Sequence, residues 1–169
     1  MRKFILFLLC IICIVLGYII LKPKSVLAPT KVHYHAGFLV YIDGTLQDFS
    51  DVKYMNRDFC SVPHTTDTPE ELQIGKAHLH DNVGDVVHVH RTGGVWGDLF
   101  KNMNYTFPEG KTIMGYVNGK AVTDILNYPI KAYDSVIITV GDSSGVDLTK
   151  MVPKSHILDI EKRSEGCSV

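Results

Sequence analysis

The stretch HLHDNVGDVVHVH, residues 78–90, places one His-x-His motif on each side of the turn-forming segment DNVGD. A three-residue loop ending at Gly84, with that glycine in the left-handed position of a G1 bulge, would join two antiparallel strands here. This register pairs His78 with His88. Because side chains alternate along a strand, both motifs then point their imidazoles to one face. The sequence therefore predicts a β-hairpin that carries a histidine cluster.

A third motif, His33-Tyr34-His35, lies in another strand-like segment, so six of the eight histidines occur in such pairs. At this histidine frequency chance predicts roughly 0.4 pairs, which three clearly exceed. Imidazole-only ligation suits transition metals and argues against calcium or magnesium. Zinc and copper fit best, with iron and nickel as alternatives. The candidate metal ligands are His33, His35, His78, His80, His88 and His90.

Single histidines are usually solvated or simply hydrogen-bonded, and we interpret His64 and His156 in that way. The paired histidines differ, because crowded neutral imidazoles desolvate one another and repel if protonated. A bound metal ion removes that penalty. Asp81 and Asp98 are candidate acceptors for the imidazole N–H groups that face away from the ion.

Two further segments carry strong hairpin signals. YIDGTL (41–46) and YVNGKAV (116–122) place Asp-Gly or Asn-Gly between apolar runs, which favours type I′ turns. The β-branched run DSVIITVG (134–141) predicts a strand. Between them, Trp96, Leu99, Phe100 and Met103 recur at helical spacing, which predicts one helix at about 95–104 with that face in the core.

These elements predict an α+β fold of mainly antiparallel β-sheet hairpins with one packed helix. The order strand, helix, hairpin, strand over 86–141 is β-grasp-like. We expect a His-rich β domain at 32–142 that contains an irregular insertion loop at 50–75. A carboxyl-terminal tail at 143–169 comes after it, with a short helix near 155–163.

The amino terminus predicts a membrane segment ahead of this domain. Residues 4–21 are apolar and uncharged, and as a helix they would cover about 27 Å, enough for a bilayer core. Arg2 and Lys3 precede this apolar run, which favours export of the chain beyond it. We predict a transmembrane anchor at 1–21, a linker at 22–31 and a single-pass protein of the cell membrane whose carboxyl-terminal domain is extracytoplasmic. The alternative is a cleaved signal peptide.

Charge and cysteine content agree with an exported domain that does not bind nucleic acid. All 18 acidic residues lie beyond residue 31, so this part of the chain is acidic, whereas phosphate binding needs clustered Lys and Arg. In an oxidising compartment Cys60 and Cys167 could form a disulfide. Two free thiols or pairing between chains are the alternatives.

With HYHAGFLVYIDG, AHLHD, VVHVH, WGDLF and YVNGK in this order, the chain resembles an uncharacterised group of short prokaryotic membrane-anchored proteins with repeated His-x-His motifs. The resemblance covers about residues 4–142 and implies a metal site at the paired histidines, without implying an activity. In that group the third motif often ends in Glu, where this chain has His90.

Three functions remain open from the sequence. The first is a membrane-anchored, extracytoplasmic protein that binds zinc or copper through its three His-x-His motifs. The second is a metal-dependent enzyme or redox protein with an open coordination position. The third is an interaction module whose histidines sense pH. The sequence assigns no catalytic residue, no protein partner and no number of ions.

Overall fold

The computed structural model describes residues 28–56 and 68–163. The predicted anchor at 1–21, most of the linker, His64 and all four cysteines lie outside these ranges. Within the described ranges, no helix is both long enough and apolar enough to span a bilayer.

The described chain forms one six-stranded sheet. Five strands follow one another in the order β2-β1-β6-β4-β5, and the sixth strand, β3, also pairs with β1. The strands are β1 (Lys31–Ile42), β2 (Thr45–Leu46), β3 (Val86–Arg91), β4 (Ile113–Val117), β5 (Lys120–Val122) and β6 (Ser135–Val140). The helices are α1 (Pro69–Ile74), α2 (Trp96–Asn102) and α3 (Lys154–Arg163).

The predicted fold class, a mainly antiparallel α+β fold with a β-grasp-like second half, is wrong. The membrane helix predicted ahead of it lies outside the described residues. Strands β1 and β6 pair in parallel, from Gly37 with Ser135 to Ile42 with Val140, so the sheet is mixed and forms a half-barrel. Strand β6 is buried along its whole length, as is typical of a strand covered on both faces. Its apolar run predicts a strand but carries no information about a partner so far away in the sequence.

The two short hairpins are confirmed. Asp43 and Gly44 have φ of 47° and 76°, and Asn118 and Gly119 have φ of 48° and 80°. Ile42 pairs with Thr45 across the first turn, and the second turn joins β4 to β5 in the same way. Both turns therefore have the positive φ at two central residues that a type I′ turn requires.

The main core lies on one face of the sheet, against α2. Trp96 and Leu99 are fully buried, and Phe100 and Met103 are nearly so, which confirms the predicted apolar helix face. From β1, the alternating residues Ala36, Phe38 and Val40 enter the same core. The other residues of β1 therefore point to the opposite face.

The opposite face is partly covered by the tail. Ile157 and Ile160 of α3 pack with Val86 and Val152 in a second, smaller apolar cluster. A Cβ at Gly37 would lie 2.5 Å from the Cβ of Val152, so this glycine lets the tail approach β1 closely. The predicted insertion loop also contains order, because α1 begins with a capping box between Thr68 and Glu71.

Candidate metal centre

Three neighbouring segments present their histidines on the face opposite the main core. The middle residue of each His-x-His motif points into that core: Leu79 and Val89 are fully buried there, and Tyr34 packs against it. Because alternate side chains of an extended chain point in opposite directions, both histidines of each motif face the other way. The apolar middle residues therefore orient all three imidazole pairs.

The strand register brings the pairs together around His88. His35 of β1 lies directly opposite His88 of β3. On the other side, His78 forms an antiparallel bridge with His88, with backbone N–H···O distances of 3.0 Å and 2.9 Å. β3 thus lies between the other two segments, and His88 lies between their histidines.

The predicted pairing of His78 with His88 is therefore confirmed, but the predicted loop is wrong. The left-handed residues are Asp81 and Asn82, with φ of 57° and 58°, whereas Gly84 has no positive φ. A Cβ at Gly84 would lie 2.4 Å from the backbone nitrogen of Ser50, so this glycine permits a close backbone approach. The conformation of the loop therefore depends on its contact with another part of the chain. Turn preferences, which consider only neighbouring residues, cannot predict such a contact.

The imidazole rings form one continuous cluster. His88 Nε2 lies 2.7 Å from His35 Nε2, and the His80 and His88 ring centroids are 3.7 Å apart. His90 stacks on His33 at 4.8 Å and on His78 at 5.3 Å between centroids. All six residues predicted from the sequence thus lie in one cluster, each in contact with at least two others, although their role as ligands stays a prediction.

Two groups of three histidines have the geometry to hold a metal ion. We call His33, His35 and His88 the outer trio, and His78, His80 and His88 the inner trio. Within each trio, one nitrogen from every residue lies within 4.8 Å of the others. Small movements of the rings would bring three nitrogens to the roughly 2.0–2.1 Å from one central zinc ion that ligation requires. His90 belongs to neither trio.

Hydrogen bonds to Nδ1 determine the tautomers of two rings of the inner trio, those of His78 and His80. His78 Nδ1 lies 3.2 Å from the carbonyl oxygen of Ile74, and His80 Nδ1 lies 2.7 Å from the Asp81 carboxylate. Since both oxygens can only accept, each Nδ1 carries the proton and donates. The lone pair of each neutral ring is then on Nε2. For His80 this Nε2 is buried without a hydrogen-bond partner within the described part of the chain.

The outer trio has a different support. His35 Nδ1 is buried, and its nearest carboxylate is Glu161 on α3, at 3.8 Å. Tyr133 donates its hydroxyl to the same carboxylate at 3.0 Å. The third member, His33, is exposed. Helix α3 therefore places the Glu161 carboxylate beside the cluster. The sequence around the histidine motifs does not predict this contact.

Burial keeps four of the clustered imidazoles uncharged, those of His35, His78, His88 and His90. Desolvation, with added repulsion from neighbouring histidines, lowers the pKa of His35 to about 4 and that of His90 to about 3. The same causes hold the pKa of His78 and His88 well below the usual value. These rings are neutral at pH 7, the state in which an imidazole can donate a lone pair to a metal.

The remaining candidates differ in whether they contact the cluster. Asp81 contacts His80 as predicted, whereas Asp98 accepts a hydrogen bond from the backbone N–H of Val95 and so caps α2. His156 pairs with Asp85 at 3.1 Å, away from the cluster.

The described residues therefore contain histidine groups that could hold a metal ion, without indicating which metal. The predicted resemblance to short prokaryotic His-x-His proteins stays a prediction. No protein-family model, curated protein or solved structure matches this chain.

Proposed function

We propose that this protein binds a transition metal ion, zinc or copper, in the buried histidine cluster. The observation that carries the proposal is the convergence of imidazole nitrogens in the inner trio, where His78, His80 and His88 are each at most 6% exposed. Burying several imidazoles together costs free energy when they have no partner, and metal ligation removes that cost.

The donor set supports zinc or copper over harder ions. All candidate ligands are imidazole nitrogens, which suit zinc, copper, iron and nickel, whereas calcium and magnesium prefer oxygen. The Asp81 carboxylate and the Ile74 carbonyl orient two of the rings in the way second ligand shells commonly do.

Burial favours binding over catalysis. Five of the six clustered histidines are at most 6% exposed, so little of the cluster is open to a substrate. A groove of ≈ 480 Å³ lies elsewhere, between the 46–50 segment, the 82–85 loop and α3, and none of the six histidines lines it. A protein that stores, buffers or transfers the ion fits this arrangement.

Elemental analysis tests the proposal. The full-length chain should be purified in mild detergent, without a histidine tag or added metal, and analysed by mass spectrometry for bound elements. We expect stoichiometric zinc or copper in the wild type and in His156→Ala, and strong loss in His88→Ala. A metal-free wild type that also fails to bind either ion at equilibrium would contradict the proposal.

We also propose that the domain acts on the outer side of the cell membrane. Support comes from the sequence alone, through the apolar run 4–21 and the basic residues ahead of it. Protease added to intact cells should digest the domain, with a cytoplasmic protein as the protected control. A domain that becomes digestible only after lysis would contradict this location.

A further inference from the structure

The two trios share one ligand but differ in access to solvent. His33 in the outer trio is exposed, whereas every residue of the inner trio is buried. His88 is common to both, and its ring contacts His35 at 3.8 Å and His80 at 3.7 Å between centroids. An ion bound by one trio therefore lies next to the histidines of the other trio.

Simultaneous filling of both trios is disfavoured by charge. A neutral imidazole has one lone pair, so His88 would have to lose its ring proton to ligate two ions at once. Two divalent ions would add four positive charges, whereas the carboxylates that contact the cluster within the described ranges are those of Asp81 and Glu161. Buried charge that exceeds its counter-charge is costly.

We propose that the cluster is a two-position relay for a single ion. A metal ion binds first to the outer trio and then moves to the inner trio, with His88 as the ligand common to both positions. This inference rests on the proposed function and adds a path to it. Each step exchanges one imidazole for another and leaves the charge of the site unchanged.

The inner trio has the features of the final position. Two of its rings are oriented by hydrogen bonds to Ile74 and Asp81, and such carbonyl and carboxylate partners of Nδ1 are typical of metal-ligating histidines. The outer trio has an exposed ligand that solvent can replace. His90, stacked between His33 and His78, lies along the path.

Stopped-flow mixing of the full-length, metal-free chain with cobalt(II) tests the relay, because the visible absorption of this ion changes with its ligands. In the wild type we expect a fast phase that depends on cobalt concentration, then a slower phase that does not. The final stoichiometry should be one ion per chain.

Two variants separate the positions. His33→Gln should slow loading at least tenfold while the final spectrum and stoichiometry stay those of the wild type. His80→Gln should keep the fast phase, lose the slow one and release cobalt at least tenfold faster to a chelator. His156→Gln is the matched control and should behave like the wild type. Circular dichroism checks the fold of each variant, and His33→Gln, altered at an exposed position, remains informative if His80→Gln fails to fold.

The outcomes are distinct from those of the proposed function. Two cobalt ions per wild-type chain, a single loading phase, or wild-type loading by His33→Gln would each overturn the relay while leaving metal binding intact. Absence of equilibrium binding by the wild type would overturn metal binding itself.

Discussion

The two faces of the same three segments differ in what they do for the protein. On one face, Leu79, Val87 and Val89 join the apolar core beneath α2. On the other, the intervening positions hold imidazoles that, except for exposed His33, are almost as deeply buried. The apolar face gains free energy from burial, whereas the histidine face loses hydration and gains little without a ligand. Fold stability and metal affinity should therefore respond to different substitutions.

The largest effect is expected on the apolar face. Leu79→Ala should lower the free energy of unfolding by about 2–5 kcal/mol, because it leaves a cavity beneath the histidines. Leu46→Ala removes the same atoms from a half-exposed position and should cost no more than about 0.5 kcal/mol. Urea unfolding of the metal-free chain measures both. Equal losses would show that the two faces do not differ as described.

Substitution of His88, in contrast to that of Leu79, should weaken metal binding while the fold stays stable. His88→Leu removes the ligand common to both trios and should weaken zinc or copper binding by more than about 100-fold, beyond the 10–100-fold typical of losing a ligand's outer partner. The metal-free variant should remain folded, because an apolar side chain of similar size replaces a buried, neutral ring. Titration against a chelator measures the affinity, and His156→Leu is the control. Unchanged affinity would contradict the role of His88.

Acid should destabilise the metal-free protein through the histidine face. The pKa of His35 is lowered to about 4 and that of His90 to about 3, whereas an unfolded chain has ordinary histidines near 6.5. Between these values the unfolded state binds more protons, so the free energy of unfolding falls as pH drops below about 6.5. Little change from these groups is expected above pH 7.

Urea midpoints between pH 8 and 4 measure this dependence. His35→Leu should reduce the slope below pH 6.5, because one group with a lowered pKa is gone. Metal binding should weaken over the same acidic range, since protons compete for the lone pairs. A stability that is flat from pH 7 to 4.5 would contradict the buried neutral cluster.

The smallest effect is expected at the edge of the cluster. Asp81→Asn removes the charged acceptor of His80 Nδ1–H and should weaken metal binding by about tenfold. Stability should barely change, because Asp81 is exposed and Asn tolerates its left-handed backbone. Asp124→Asn, at an exposed site away from the cluster, is the control. A larger loss of stability than of affinity would mean that Asp81 serves the turn rather than the site.

Much of the site can be predicted from local patterns. Alternation in an extended chain predicts that each His-x-His motif shares a face, and the structure agrees for all three. Asp-Gly and Asn-Gly correctly predict two hairpins, and helical spacing correctly predicts the buried face of α2. The pairing of His78 with His88 is also correct, although Asp81 and Asn82 form the turn in place of Gly84. Each of these signals depends on residues at most ten positions apart.

What the sequence determined by itself is the presence of three oriented histidine pairs. Only the tertiary structure decided that the His33-His35 pair joins the other two, through the register of His35 with His88, and that β1 pairs in parallel with β6 and Glu161 on α3 approaches the cluster. The physical reason is range. Side-chain alternation and turn conformation are set by neighbouring residues, whereas register and strand partners depend on how distant segments pack around a common core.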